Sequence, residues 1–285
     1  MNYVELAKLL GNSNPNINVY NALFKQLQEW DKRVISFGSK TITLTFCESG
    51  ENHVGMQQIG KIADTGFTYD ELRNFQCLGS EFYDLSGQFP EKAGLLIIRK
   101  GVNFLLGNNG DNLLFQEQNS LENLYDKMAF MKGRVVNKKA RYNLIFADFD
   151  QSPDYENKQG RIVNFNHVNY TQKLRNTLPK LFGEKAQSMI AEANYYYDIK
   201  QTYIGFHGDT ERRRVIGVRL GESMPLYFQW YERFDKISPL MEFHLHHGDI
   251  YVMSEKAVGT DWKRSSIRTL RHAAGLKEVL DKYSK

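Results

Sequence analysis

Between residues 202 and 273 the chain breaks into six short strand-like runs, each closed by a turn signal. They are TYIGFH at 202–207, RVIGVRLG at 214–221, PLYFQWYERF at 225–234, MEFHLHHGD at 241–249, DIYVMS at 249–254 and SIRTLRHA at 266–273. Short strands with turns every ten or so residues predict an antiparallel sandwich or barrel rather than a βαβ fold. A helical stretch, roughly 170–193, precedes them. Further upstream, 19–33 carries apolar residues at 19, 23, 24, 27 and 30, which is helical spacing. ITLTF at 42–46 alternates as a strand, and GLLIIRKGVNFLL at 94–106 reads as two short strands around Lys100 and Gly101. NSLENLYDKMAFM at 119–131 reads as an amphipathic helix capped at Asn119 or Ser120. The basic run MKGRVVNKKARYN at 131–143 is the best boundary. It separates an α/β N-terminal region, 1–140, from a strand-rich region, 141–285.

Lys and Arg exceed Asp and Glu by only four. That permits a polyanionic partner without demanding one, because nucleic-acid binders usually concentrate their charge on one face. Cys47 and Cys77 have no CxxC or metal-type spacing and read as free thiols in a reducing compartment. The N-terminus lacks a signal-peptide pattern, and no apolar run approaches the ~18–20 residues of a membrane span. A soluble, cytoplasmic protein with no membrane partner is expected.

The chemistry concentrates in NYYYDIKQTYIGFHGDTER at 194–212. His207 and Asp209 form an H-x-D pair at the end of a predicted strand. Residues two apart on a strand point to one side, so an imidazole and a carboxylate can reach one ion together. They are two-thirds of a two-His-one-carboxylate facial triad, which leaves positions open on Fe(II) for a bidentate co-substrate and oxygen.

The ordered series around this pair resembles the AlkB family of Fe(II)/2-oxoglutarate dioxygenases. Asn194 and Tyr196 precede the pair, and Glu211 lies two residues after Asp209. VIGVRLG at 215–221, the Phe228–Trp230 strand and HHGDIYVM at 246–253 follow. The resemblance covers about 194–275. The 140–275 tract also resembles AlkB-like proteins of large DNA viruses and phages, through blocks such as NYYYDI and TLRHAAG. It implies an α+β chain whose C-terminal part is a double-stranded β-helix (jelly-roll) with flanking helices. It further implies Fe(II) and 2-oxoglutarate as cofactors, with His207 and Asp209 as iron ligands. Asn194 and Tyr196 would hydrogen-bond the co-substrate, and Glu211 would lie near the substrate.

The family's distal histidine falls some dozen residues after the G-D turn, where this chain has EKAVGTDWKRSS at 255–266 and no histidine. His272 is then the expected third ligand. A competing alignment makes Thr269–Arg271 the co-substrate anchor, with Arg271 pairing a carboxylate. The two readings conflict, because neighbours on a regular strand face opposite ways unless a bulge intervenes. With His272 inward, Arg219, an odd charge in the apolar strand VIGVRL, becomes the candidate anchor.

Two further segments stand out. SEKAVGTDWK at 254–263 is expected to border the metal, to clamp a phosphate or stack a base. Glu51 and His53 form a second i, i+2 pair suited to a metal or substrate contact. P-loop, GxGxxG, HExxH and nucleophile-elbow motifs are absent from the sequence. The expected reaction uses molecular oxygen to hydroxylate a C–H bond, most naturally an alkyl group on a nucleobase within nucleic acid. Protein or small-molecule hydroxylation and a catalytically silent nucleic-acid-binding module are the alternatives.

Overall fold

The computed structural model describes residues 36–283. In chain order its strands are β1 (Thr41–Cys47), β2 (Ser49–Glu51), β3 (Gln58–Gly60), β4 (Ser80–Asp84), β5 (Gly94–Ile98), β6 (Met128–Met131), β7 (Arg134–Asn137), β8 (Tyr142–Ala147) and β9 (Ile162–Asn164). They continue with β10 (Ile190–Tyr196), β11 (Ile204–His207), β12 (Val215–Gly221), β13 (Met224–Glu232), β14 (Asp235–Lys236), β15 (Met241–Leu245), β16 (Ile250–Met253) and β17 (Thr269–Ala274). The α-helices are α1 (Tyr69–Arg73), α2 (Gly101–Leu106), α3 (Gly110–Ser120), α4 (Asn169–Phe182), α5 (Glu255–Val258) and α6 (Lys277–Tyr283). The chain is thus α+β, mostly strand with few helices.

Eight strands form one sheet in the order β4-β5-β16-β12-β1-β10-β8-β9, antiparallel except at β8–β9. Side-chain alternation gives this sheet two unlike faces. Ile42, Leu44 and Phe46 of β1 join Ala191, Ala193 and Tyr195 of β10 and Ile216, Val218 and Leu220 of β12 in one apolar core. Leu114 and Phe115 of α3 and Leu174 and Leu178 of α4 cover that face. Each Val, Leu, Ile or Phe among them contributes roughly 1.5–3 kcal/mol by burial, and a one-residue slip would turn every one of these side chains to the wrong side. The opposite face carries Thr43 and Thr45, Glu192, Asn194 and Tyr196, and Gly217 and Arg219. In register, Arg219 stands beside Thr43, and Thr43 beside Asn194.

The second sheet, β11-β17-β13, carries β14 and β15 on the outer edge of β13. Its Leu226, Phe228, Trp230 and Leu270 pack against Leu95, Ile97, Tyr251 and Met253 of the large sheet. This core closes one end of the space between the sheets, while the polar residues of the large sheet face the other end.

Several expectations are corrected. Residues 101–106 form α2 rather than a second strand, entered through a left-handed Lys100. Gly101 lies so close to Ile250 that an added Cβ would meet its side chain at 2.9 Å, which seats α2 on the sheet. In 119–131 the helix α3 ends at Ser120, and Met128–Met131 is a strand. The left-handed Lys132 and Gly133 turn β6 back onto β7, a tight hairpin that the helical spacing concealed. The helix begun at 169 stops at Phe182, and 190–196 is the strand β10. The expected helix at 19–33 lies outside the described residues. The division at residue 140 runs through one sheet, since β1 sits between β10 and β12. Among the described residues no helix is long and apolar enough to cross a membrane.

Candidate metal centre

His207, Asp209 and His272 converge, each offering one ligand atom within 4.8 Å of the others. Nε2 of His207 lies 3.5 Å from Asp209 Oδ1, and Nε2 of His272 lies 3.8 Å from the same oxygen. Cis donors on an ion with bonds of ~2.1 Å stand about 3 Å apart, so a small contraction would close the three onto one metal. Two imidazoles and a carboxylate are the donor set of a facial triad. His207 donates its Nδ1 proton to the Gly205 carbonyl at 2.8 Å, which fixes the tautomer and leaves Nε2 for an ion.

The backbone holds these groups in place. The Asp209 N–H donates to the Val258 carbonyl at the end of α5, so the short helix between β16 and β17 anchors the H-x-D turn. Gly208 is required there. A Cβ on it would lie 2.1 Å from the Gly259 carbonyl oxygen. Burial opposes ionisation of Asp209, but the Arg212 guanidinium, with a hydrogen bond from His207, holds its carboxyl well below the usual range. Burial and the neighbouring His207 push His272 down to about 4, so its ring stays neutral, as a metal ligand must be.

Arg212 is buried and donates to Glu192 at 2.5 Å and Glu211 at 2.6 Å. Glu192 in turn accepts from Asn143 and Asn194. Asn194 Oδ1 accepts from Arg141 at 2.5 Å and Asn143 at 2.8 Å. Asn194 therefore belongs to a polar network running along β8, β10 and the H-x-D loop.

Most of these groups line one cavity of about 370 Å³ between the two sheets. His207, Asp209, His272, Asn194, Tyr196, Glu211 and Arg219 all reach it, whereas Arg271 does not. Arg219 is fully buried, and its Nε and Nη1 have no hydrogen-bond partner. The Thr43 hydroxyl beside it is also unpaired. Asp249, Tyr251 and Tyr196 act on the guanidinium electrostatically, but burying its two unbonded nitrogens is costly, and the pair offers donors that an anion could use. Arg271 instead lies against the Tyr231 ring, 4.1 Å from its centroid, and donates to the Trp262 carbonyl. Strand alternation thus separates His272 from Arg271, and the anchor reading of Arg271 fails on this geometry.

Trp262 and Lys263 of the 254–263 segment reach the cavity, as do Glu51 and His53. The other lysine of that segment, Lys256, points away and is paired with Asp261. Glu51 and His53 do not join the metal cluster. Burial and the facing Glu211 raise the Glu51 carboxyl to about 7. The sequence reading missed Thr43, Arg141, Glu192 and Arg212. The alternating threonines of TITLTF were the one local signal available for Thr43.

No protein-family model matches the chain. The chain is 47% identical over 250 residues to "Uncharacterized protein R156" of Acanthamoeba polyphaga mimivirus, covering 83% of this chain and 96% of that relative.

Proposed function

The chain belongs to the family of that mimivirus protein, and we propose that it is an AlkB-like Fe(II)/2-oxoglutarate dioxygenase built on a double-stranded β-helix. Its substrate on this reading is an alkyl group on a nucleobase. The observation that carries the proposal is the pairing, in one cavity, of a His-Asp-His cluster with a buried arginine whose Nε and Nη1 make no hydrogen bond. The first suits a divalent metal and the second suits the far carboxylate of a dicarboxylate co-substrate. Two opposed, mainly antiparallel sheets with the cavity between them support the β-helix reading.

His207, Asp209 and His272 would hold the ion. When bound, Fe(II) and 2-oxoglutarate supply the oxidation, in which molecular oxygen is divided between succinate and a hydroxylated substrate carbon. Arg219 and Thr43 bind the distal carboxylate, and Tyr196, buried beside Arg219, closes that end against water. Asn194, held by Arg141 and Asn143, keeps an amide edge on the cavity wall. Arg212 keeps Asp209 ionised, and Glu211, held by Arg212 on the cavity wall, would accept a hydrogen bond from the substrate.

The test is product analysis. The protein, supplied with Fe(II), 2-oxoglutarate and oxygen, is incubated with alkylated DNA and RNA oligonucleotides and with cell lysate. Mass spectrometry of nucleosides and peptides should find oxidised or dealkylated nucleosides that disappear in Asp209→Ala. Oxidation confined to peptides would move the substrate to a protein side chain.

A further inference from the structure

The turn between β13 and β14 consists of Arg233 and Phe234, with φ of 50° and 71°. Two-residue hairpin turns of this left-handed kind favour Asn-Gly, because side chains with a Cβ are strained there. Here an arginine and a phenylalanine occupy both positions, and Phe234 remains 56% exposed. A strained backbone that presents a large apolar ring to solvent is a starting point for asking what that ring contacts.

Arg271 lies 5.4 Å from the Phe234 ring centroid and 5.3 Å from that of Trp262, so one guanidinium links the two rings. Lys263 sits over Trp262 at 5.5 Å, and Lys236 over Phe206 at 6.0 Å. Trp262, Lys263 and Phe206 also line the cavity of the His-Asp-His cluster. A band of aromatic faces and cations therefore runs from the hairpin tip, where the exposed acids Glu232 and Asp235 also stand, to the cavity.

We propose that this band, with Phe234 and Trp262 as its stacking faces, held by the buried Arg271 behind them, and Arg233, Lys236 and Lys263 as its charges, is a docking surface for single-stranded nucleic acid. Every base has a π-face, and each phosphate needs a nearby cation, so exposed rings interleaved with basic groups match a strand with unstacked bases. A duplex hides its base faces and could use only the charges. The inference rests on the oxygenase reading only in taking the cavity as the reactive end; the flanking nucleotides lie along the band.

Fluorescence anisotropy of fluorescein-labelled dT and U dodecamers with the full chain, without metal, tests this. Phe234→Gly should weaken binding about tenfold while the melting temperature stays level or rises, because glycine relieves the left-handed turn. A merely structural role would lower that temperature. Lys236→Glu with Lys263→Glu should also weaken binding and flatten its salt dependence. Unchanged affinity in both variants would overturn the proposal, as would equal binding of a duplex or of a poly-glutamate peptide. The visible absorption of the Fe(II)–2-oxoglutarate complex separates the two claims. Strand binding that depends on Phe234 in a protein lacking that band would sink the oxygenase reading and keep this surface. The band without strand binding would do the reverse.

Discussion

His207 and His272 are Cα partners across the β11–β17 pairing, with ring centroids 4.4 Å apart. The partnership depends on a register shift. Ile204 pairs with Ala274, so a regular ladder would bring His207 opposite Arg271. An irregularity between Ile204 and His207 advances the pairing by one residue and sets the two imidazoles together. Replacing either histidine should therefore remove a metal ligand without disturbing the apolar cores. Isothermal titration with Mn(II) should show one site in the wild type, and at least a hundredfold weaker binding in His272→Ala and in Asp209→Ala.

Arg219 and Arg271 should separate cleanly by mutation. Arg219→Met removes a buried charge whose Nε and Nη1 are unbonded, so the ligand-free protein should be as stable as wild type or more so by about 1–2 kcal/mol. It should lose the rise in melting temperature that 2-oxoglutarate gives the wild type, a rise expected from ligand linkage. Arg271→Met should keep that rise. Differential scanning fluorimetry with and without the dicarboxylate reads both outcomes.

The Glu51 carboxyl supplies a pH signature. Burial and Glu211 raise it from 4.5 to about 7 in the folded state. A raised folded pKa means the folded protein holds the proton more tightly, so this contribution is full below pH 4.5 and is lost as pH rises through 7. Glu51→Gln removes the loss. After allowance for its partial exposure, it should stabilise the metal-free protein by about 1 kcal/mol at pH 8. At pH 4 it should give no gain. Thermal unfolding at the two pH values checks the difference.

Gly208→Ala tests the backbone that carries Asp209. The added methyl would meet the Gly259 carbonyl, and the H-x-D turn must move or the 259–262 turn must yield. A destabilisation of ~2–4 kcal/mol is expected, together with weakened Mn(II) binding. Wild-type stability and metal affinity in this variant would show that the close approach is not structural.

The parts of the site that were readable in the sequence are those fixed by local geometry. The H-x-D pair was readable from its spacing, although Asp209 lies past the end of β11 and is placed by its N–H bond to Val258 rather than by strand alternation. His272 followed from the lack of any histidine in 255–266. The same alternation foresaw that Arg271 and His272 could not share a face. The network behind Asp209 was not readable. Glu192 and Arg212 are 20 residues apart, and Thr43 and Arg219 are 176 apart. Only the central place of β1 between β10 and β12 brings them together, and no local pattern states which strands pair. The β6–β7 hairpin escaped because its turn, Lys132-Gly133, interrupts a segment whose apolar residues also fit a helix.

Anaerobic addition of Fe(II) and then 2-oxoglutarate to the purified chain is the most direct measurement of the central claim. A broad visible charge-transfer band should grow to one equivalent, and it should be absent in Asp209→Ala and His272→Ala. A wild-type protein that stays colourless under saturating iron and 2-oxoglutarate, or a band that survives both substitutions, would contradict it.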